Sequence, residues 1–150
     1  MTSAAIDLAQ VHDAAGTRLR AAEQLYTSGR RALVELLAST GRPATIPDLL
    51  HTNPALTQSS VYRNLAMLEA AGVVQKVVSS DDRARFELAE DLMGHHHHLI
   101  CVECGRVDDF VVSPKAERRI EAVLAEATGG SGFRPSGHRL DVVGTCTDCA

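Results

Sequence analysis

Apolar positions in this chain follow two rhythms, one of three to four residues and one of two. Leu33, Leu36 and Leu37 recur at helical spacing within Gly29–Ser39. That segment is an expected amphipathic helix, started by Thr27 or Ser28 and ended by Gly41-Arg42-Pro43. The Ala-rich stretch ahead of it predicts a helix from about Ala4 to Gln24, with Gly16 as a break point. Thr45 to His51 reads as a short helix capped by Thr45, with Pro47 in the first turn, where its missing N–H costs nothing. Asn53-Pro54 marks a turn. Thr57 or Ser59 caps a further helix, Ser60 to Ala71, with Val61, Leu65 and Leu68 on one stripe and Gly72 closing it. Val73–Val78 and Arg83–Leu88 are β-branched or alternating runs around Ser79-Ser80-Asp81-Asp82, which predicts a hairpin. Helix, short helix, turn, helix and hairpin together spell a winged helix-turn-helix.

Past Ala89–Gly94, which reads as a hinge, the pattern changes. Leu99–Cys101 and Val107–Val112 are expected strands. Pro114 opens a helix to Thr128, with Ile120, Val123, Leu124 and Ala127 turned inward and Gly129-Gly130-Ser131-Gly132 ending it. Gly137–Gly144 is the last expected strand. The fold class is therefore α+β. A winged helix-turn-helix occupies residues 1–88, with 1–24 as a helical extension, residues 89–94 form a hinge, and 95–150 form a small α/β domain.

Composition adds limits. At 150 residues the chain is long enough to bury a core without disulfides. Aromatic residues are only 3% and Trp is absent, so the core must rest on Leu, Val, Ile and Ala. No run approaches the roughly 20 apolar residues of a membrane span. The first residues lack the basic flank and apolar core of a secretion signal, so the cytoplasm is the expected compartment and no membrane partner is expected. The net charge of −4 is uneven. Residues 1–78 carry seven Lys/Arg against six Asp/Glu, and residues 79–150 carry eight against thirteen. The first half thus repels a polyanion less than the second.

Two motifs carry chemistry. Cys101/Cys104 and Cys146/Cys149 are two C-x2-C pairs separated by 41 residues. In a reducing compartment such pairs favour a four-thiolate zinc site over disulfides. The run His95-His96-His97-His98 sits just ahead of the first pair. It is internal, unlike an affinity tag. On an extended strand successive side chains face opposite ways, so His96 and His98 share one side and His95 and His97 the other. Two separate metal sites can be seeded in this way. Glu87, Asp108, Asp109, Glu117 and His138 are the available partners, and spacing alone does not sort them.

Ordered blocks then carry a resemblance: Ser59-Ser60-Val61-Tyr62-Arg63-Asn64-Leu65, Gly72-Val73-Val74, Phe86-Glu87-Leu88, the four histidines with Leu-Ile-Cys-x2-Cys-Gly, Gly137-His138-Arg139-Leu140, and Gly144-x-Cys-x2-Cys. Over roughly residues 25–149 this resembles the ferric uptake regulator family of dimeric, metal-sensing transcription repressors. The resemblance implies structural zinc on Cys101, Cys104, Cys146 and Cys149. It implies a regulatory site of Glu87, His96 and His98 with Asp109 as a further ligand. A second site of His95, His97, Glu117 and His138 would lie within a dimerisation domain, residues 95–150. Tyr62 and Arg63 would lie against double-stranded operator DNA, with Gln58 and Ser59 beside them as donors to bases or phosphates. The implied function is a DNA-binding repressor, a homodimer, with a divalent metal at the hinge as co-repressor.

The chain departs from the family pattern at several points. Gly41-Arg42-Pro43 stands where iron and peroxide sensors take a histidine, and Gln75 and Glu87 stand where zinc sensors often use other ligands. His12 and His51 are the candidate replacements. Leu25 replaces a usual basic DNA contact, with Arg20, Arg30 and Arg31 as substitutes. The oxygen and nitrogen donors at Glu87, Asp109 and two histidines favour Fe2+ or Mn2+, while Zn2+ would also bind. A peroxide sensor of the same family is the alternative reading. A zinc hydrolase and a zinc-ribbon assembly protein are the rivals from other classes, the former opposed by the lack of a His-Glu-x-x-His motif.

Overall fold

The computed structural model describes residues 6–150. Helix α1 (Leu8–Ala21) starts at Asp7, whose carboxylate accepts from the N–H groups of Ala9 and Gln10. It runs through Gly16 and ends before Gln24; the expected portion ahead of Ile6 lies outside the described residues. One glycine weakens a helix by only about 1 kcal/mol. The stripe Val11, Ala15 and Leu19, at most 2% exposed, more than offsets that. Helix α2 (Ser28–Thr40) is capped by Thr27 and stops at Gly41, whose φ of 66° is the left-handed conformation glycine adopts freely. Strand β1 (Ala44–Thr45) leads into α3 (Ile46–Thr52), where Thr45 and Asp48 cap each other reciprocally. Helix α4 (Gln58–Ala70) begins two residues ahead of the expected Ser60, with Thr57 at its N-cap position.

Strands β2 (Val74–Val78) and β3 (Ala84–Leu88) form the expected hairpin, and β1 adds a third, unexpected strand in the order β1-β3-β2. Two residues are too few to show an alternation. The helices pack on this sheet through Leu19, Leu33, Leu37, Leu49, Leu65, Leu68 and Leu88, all at most 2% exposed. Each such burial stabilises by about 1.5–3 kcal/mol before entropy is charged against it.

The second lobe follows a one-turn helix, α5 (Glu90–Met93), within the expected hinge. Strands β4 (His97–Cys101), β5 (Val107–Phe110) and β6 (Asp141–Gly144) lie in the order β5-β4-β6. β4 is antiparallel to β5 and parallel to β6. It starts two residues earlier than expected and takes in His97 and His98, while β5 and β6 are shorter than expected. Helix α6 (Pro114–Thr128) has its expected span, with Ser113 capping it. Its apolar stripe does not turn inward, however. No residue of α6 is buried, and Val123 is 64% exposed. The stripe is amphipathic as read, but nothing among the described residues covers it. Among the described residues no helix is long and apolar enough to cross a membrane.

Candidate metal centres and nucleic-acid interface

The alternation on and just ahead of β4 produces two distinct clusters. On one side, His96 and His98 meet Glu87 of β3 and Asp109 of β5, with one donor atom of each within 4.8 Å of all the others. Pairing of β4 with β5 sets Asp109 directly opposite His98. His96 donates from Nε2 to Glu87 (3.2 Å) and from Nδ1 to the Gly94 carbonyl (3.0 Å). His98 places Nε2 3.3 Å from Glu87 and Nδ1 3.2 Å from Asp141. Gln75, opposite Glu87 on β2, donates to it at 2.6 Å. Glu87 is 1% exposed.

Electrostatics at this centre are strongly coupled. Burial works to raise Glu87, but hydrogen bonds from His96, His98 and Gln75 win and hold its carboxyl at about 2. Glu87 in turn lifts His96 to about 9, against the opposing effect of burial. Burial pulls His98 down, yet its contacts with Glu87 and Asp141 leave it above the ordinary value. Burial and the nearby Glu87 charge raise Asp109 to about 6. Asp109 Oδ1 is buried without a hydrogen-bond partner. With no such partner, this carboxylate oxygen is suited to ligate a cation. Metal ligands at tetrahedral zinc stand roughly 3.3–3.8 Å apart, from bond lengths of about 2.0–2.3 Å. Two imidazoles and two carboxylates this close fit a divalent cation, with Gly94 and Asp141 orienting the rings from behind.

On the opposite side His95, His97, Glu117 and His138 form a second four-donor cluster. Glu117, in the first turn of α6, is its focus. It lies 3.1 Å from His95, 3.0 Å from His97 and 2.9 Å from His138. Burial raises its carboxyl, but the hydrogen bond from His97 and the three nearby imidazoles bring it below the ordinary range. The His138 contact is close yet poorly aligned, and buried His138 Nε2 and His97 Nδ1 have no hydrogen-bond partner. Glu90 of α5 also bonds His95. This donor set likewise fits a cation.

The third cluster is the four cysteines, all free thiols, with donor sulfurs within 4.8 Å of one another. Parallel pairing of Cys101 with Gly144 brings the second pair to the first. Cys104 Sγ and Cys146 Sγ are 3.8 Å apart. Backbone N–H groups of Cys104 and Cys146 lower the Cys101 thiol to about 6, favouring the thiolate a zinc ion requires. A structural zinc fits here.

On α4, Gln58, Ser59, Tyr62 and Arg63 are all solvent-exposed around the first two turns, as a groove-reading face requires. Leu25 is 79% exposed. Among its substitutes, Arg20 is exposed, Arg30 is bonded to the Leu25 carbonyl, and Arg31 lies 4.5 Å over the Tyr26 ring. His12 and His51 are not brought to the hinge. His12 bonds Tyr26 and Glu35 instead, and His51 sits exposed at the end of α3. Arg42 reaches Asp108 at 3.8 Å, the neighbour of Asp109. Asp108 pairs with Arg42 and Arg106 and belongs to none of the three clusters. Sequence reasoning missed Asp141 and Glu90 as partners of the histidines, and Gln75 as a partner of Glu87.

The model of the ferric uptake regulator family matches residues 22–143. The chain is 30% identical to the peroxide operon regulator of Bacillus subtilis over 83% of each chain. It is 36% identical to the ferric uptake regulation protein of Legionella pneumophila over 67% of this chain and 69% of that one. Among solved structures, the Helicobacter pylori ferric uptake regulator superposes with a TM-score of 0.75 at 22% identity, covering 99% of this chain and 97% of that one. The ferric uptake regulator of Pseudomonas aeruginosa with manganese superposes at 0.67 with 27% identity, covering 88% and 97%.

Proposed function

Because the chain belongs to the ferric uptake regulator family, whose members are metal-responsive transcriptional regulators, we propose that it is a homodimeric repressor whose grip on operator DNA is set by a divalent cation at the hinge. Residues 1–88 act as the reading head, 89–94 as the hinge and 95–150 as the dimerisation and metal-binding domain. One observation carries this reading. Glu87 belongs to the hairpin of the first lobe, whereas His96, His98 and Asp109 belong to the second, and they converge on one point. A cation bound there supplies positive charge that both lobes share. Glu87 anchors the hairpin, the histidines anchor β4, and the angle between the lobes is fixed. Gln58, Ser59, Tyr62 and Arg63 are then presented to the major groove at one spacing. The Bacillus subtilis relative is a peroxide operon regulator, so a peroxide-responsive role at the same centre is the second reading.

The uncovered stripe of α6 and the exposed Val142 and Val143 of β6 supply the apolar face for a second copy. Four reduced cysteines hold zinc and tie β6 to β4. Coupling between metal and DNA is typically about 1–3 kcal/mol and reciprocal, so operator should tighten metal binding by roughly 5–150-fold. The test is a mobility shift on the chain's own promoter region across Fe2+, Mn2+, Zn2+ and Ni2+, with metal affinity measured with and without the shifted fragment. If no metal changes the shift, and the fragment leaves metal affinity unaltered, the co-repressor model fails.

A further inference from the structure

The hinge centre does not account for all that joins the two lobes. The tip of the hairpin sits on the turn from Cys101 to Gly105, which carries the first two cysteines. Ser79, 7% exposed, donates from Oγ to the Gly105 carbonyl at 2.7 Å. Ser80 donates to the Cys101 carbonyl at 2.9 Å. Beneath them Val77, Ile100 and Val107 form a small apolar cluster of their own, at 1%, 8% and 1% exposed, drawn from both lobes. Asp81 presses against Gly105 so closely that a Cβ on Gly105 would stand 2.3 Å from the Asp81 carboxyl carbon. Gly105 also has φ of 72°, a conformation that glycine adopts without strain. Asp81 itself is fixed by Arg85, 6% exposed, at 2.7 and 2.8 Å.

Ser79, Ser80 and Asp81 lie on the loop of the same hairpin that carries Glu87 on its returning strand. We propose that the cysteine turn is a seat for the hairpin tip, and that this seating sets where Glu87 stands relative to His96 and His98. Ser79, Ser80 and Gly105 are thus positioning residues for the hinge centre, although none offers it a ligand. Order at the four-cysteine centre is carried through the turn, into the hairpin and on to the regulatory site, so that the two metal centres are energetically linked within one chain. The inference rests on the hinge reading above for its metal arm, and on geometry alone for its seat.

The test uses the full-length, zinc-loaded dimer without DNA. The double variant Ser79→Ala/Ser80→Ala removes both hydrogen bonds and touches no ligand. Each neutral hydrogen bond is worth about 1 kcal/mol, so up to about thirtyfold weaker Co2+ binding at the hinge is expected when both are lost. Amide exchange across β2 and β3 should accelerate, with the cysteine-bound zinc stoichiometry unchanged. Gly105→Ala, which must displace Asp81, is the second variant and should give the same pair of effects. Parent-like Co2+ affinity, or weaker binding with parent-like exchange in the hairpin, overturns the proposal. A Glu87→Gln control identifies the hinge signal. If that control binds Co2+ normally, the hinge reading falls, while the exchange measurement still decides whether the seat exists.

Discussion

Replacing Glu87 with glutamine should flatten the pH dependence of metal binding at the hinge. Glu87 is the main reason that His96 stands at about 9 rather than 6.5. The His96 side chain is 7% exposed and that of Glu87 1%, so solvent screens the pair little. At pH 7 a ring with a value of about 9 is neutral in about 1% of molecules. Binding through it is then weakened about 100-fold, or about 2.7 kcal/mol at 1.36 kcal/mol per pH unit. That penalty fades as the pH approaches 9, so affinity should climb about tenfold per pH unit from His96 alone. His98, also held above its ordinary value, steepens the climb. Glutamine keeps the shape but carries no charge, and His96 falls back toward 6.5. The variant should therefore bind more weakly at about pH 9, for want of an anionic donor, yet lose less affinity on going down to about pH 7. Calorimetric titration with Mn2+ in two buffers of different ionisation enthalpy counts the protons released. The parent should release about one more proton than the variant at about pH 7. Equal proton release would refute the electrostatic account of this centre.

The Glu87–His96 pair should contribute most to the metal-free chain's resistance to unfolding between about pH 4.5 and 6.5. The raised His96 contributes stability that is full below about 6.5 and lost as the pH rises through about 9; the lowered Glu87 contributes stability present above 4.5 and lost as the pH falls through about 2. Thermal melts of the parent and Glu87→Gln across that range check it, and a difference between the two that stays constant from about pH 6.5 to 9 counts against it. Arg63→Ala should weaken operator binding by about 1–3 kcal/mol while leaving metal stoichiometry intact, as read by mobility shift and metal analysis. Cys101→Ser should lose the cysteine-bound zinc and release the segment around β6, visible as fast amide exchange at Val142 and Val143. Leu124→Asp should shift sedimentation toward a monomer at micromolar concentration; an intact dimer would place the interface elsewhere.

The helices were legible because their signals are local. Thr27 and Thr45 stand at the N-caps expected of them, and Pro114 to Thr128 is read to the residue. The three ligand clusters were legible through alternation along the histidines and through the resemblance, and the chain brings together each expected set. What escaped depends on register. Gln75 joins Glu87, and Asp141 joins His98, because they face each other across paired strands. No spacing along one segment reveals which residue lies opposite on another. Glu90 escaped because α5 is a single turn, too short to show a period. The inward reading of Val123 and Leu124 was wrong for a different reason. Apolar periodicity reports that a face wants cover, and says nothing about whose chain provides it.

Four adjacent imidazoles leave β4 unusually tolerant of sliding. A shift of one position would refill three of the four imidazole slots with a neighbouring histidine, put Leu99 in the fourth, and trade Leu99 for Ile100 at the strand centre. Neither the nitrogen donors nor the apolar pattern strongly opposes that error. Cys101 does, because one step turns its sulfur away from Cys104, Cys146 and Cys149. The thiolate quartet is thus the key that fits the strand into its lock in one frame only. Chains that fold without it are expected to hold this frame less strictly, and a slipped strand would turn each regulatory ring to the wrong side.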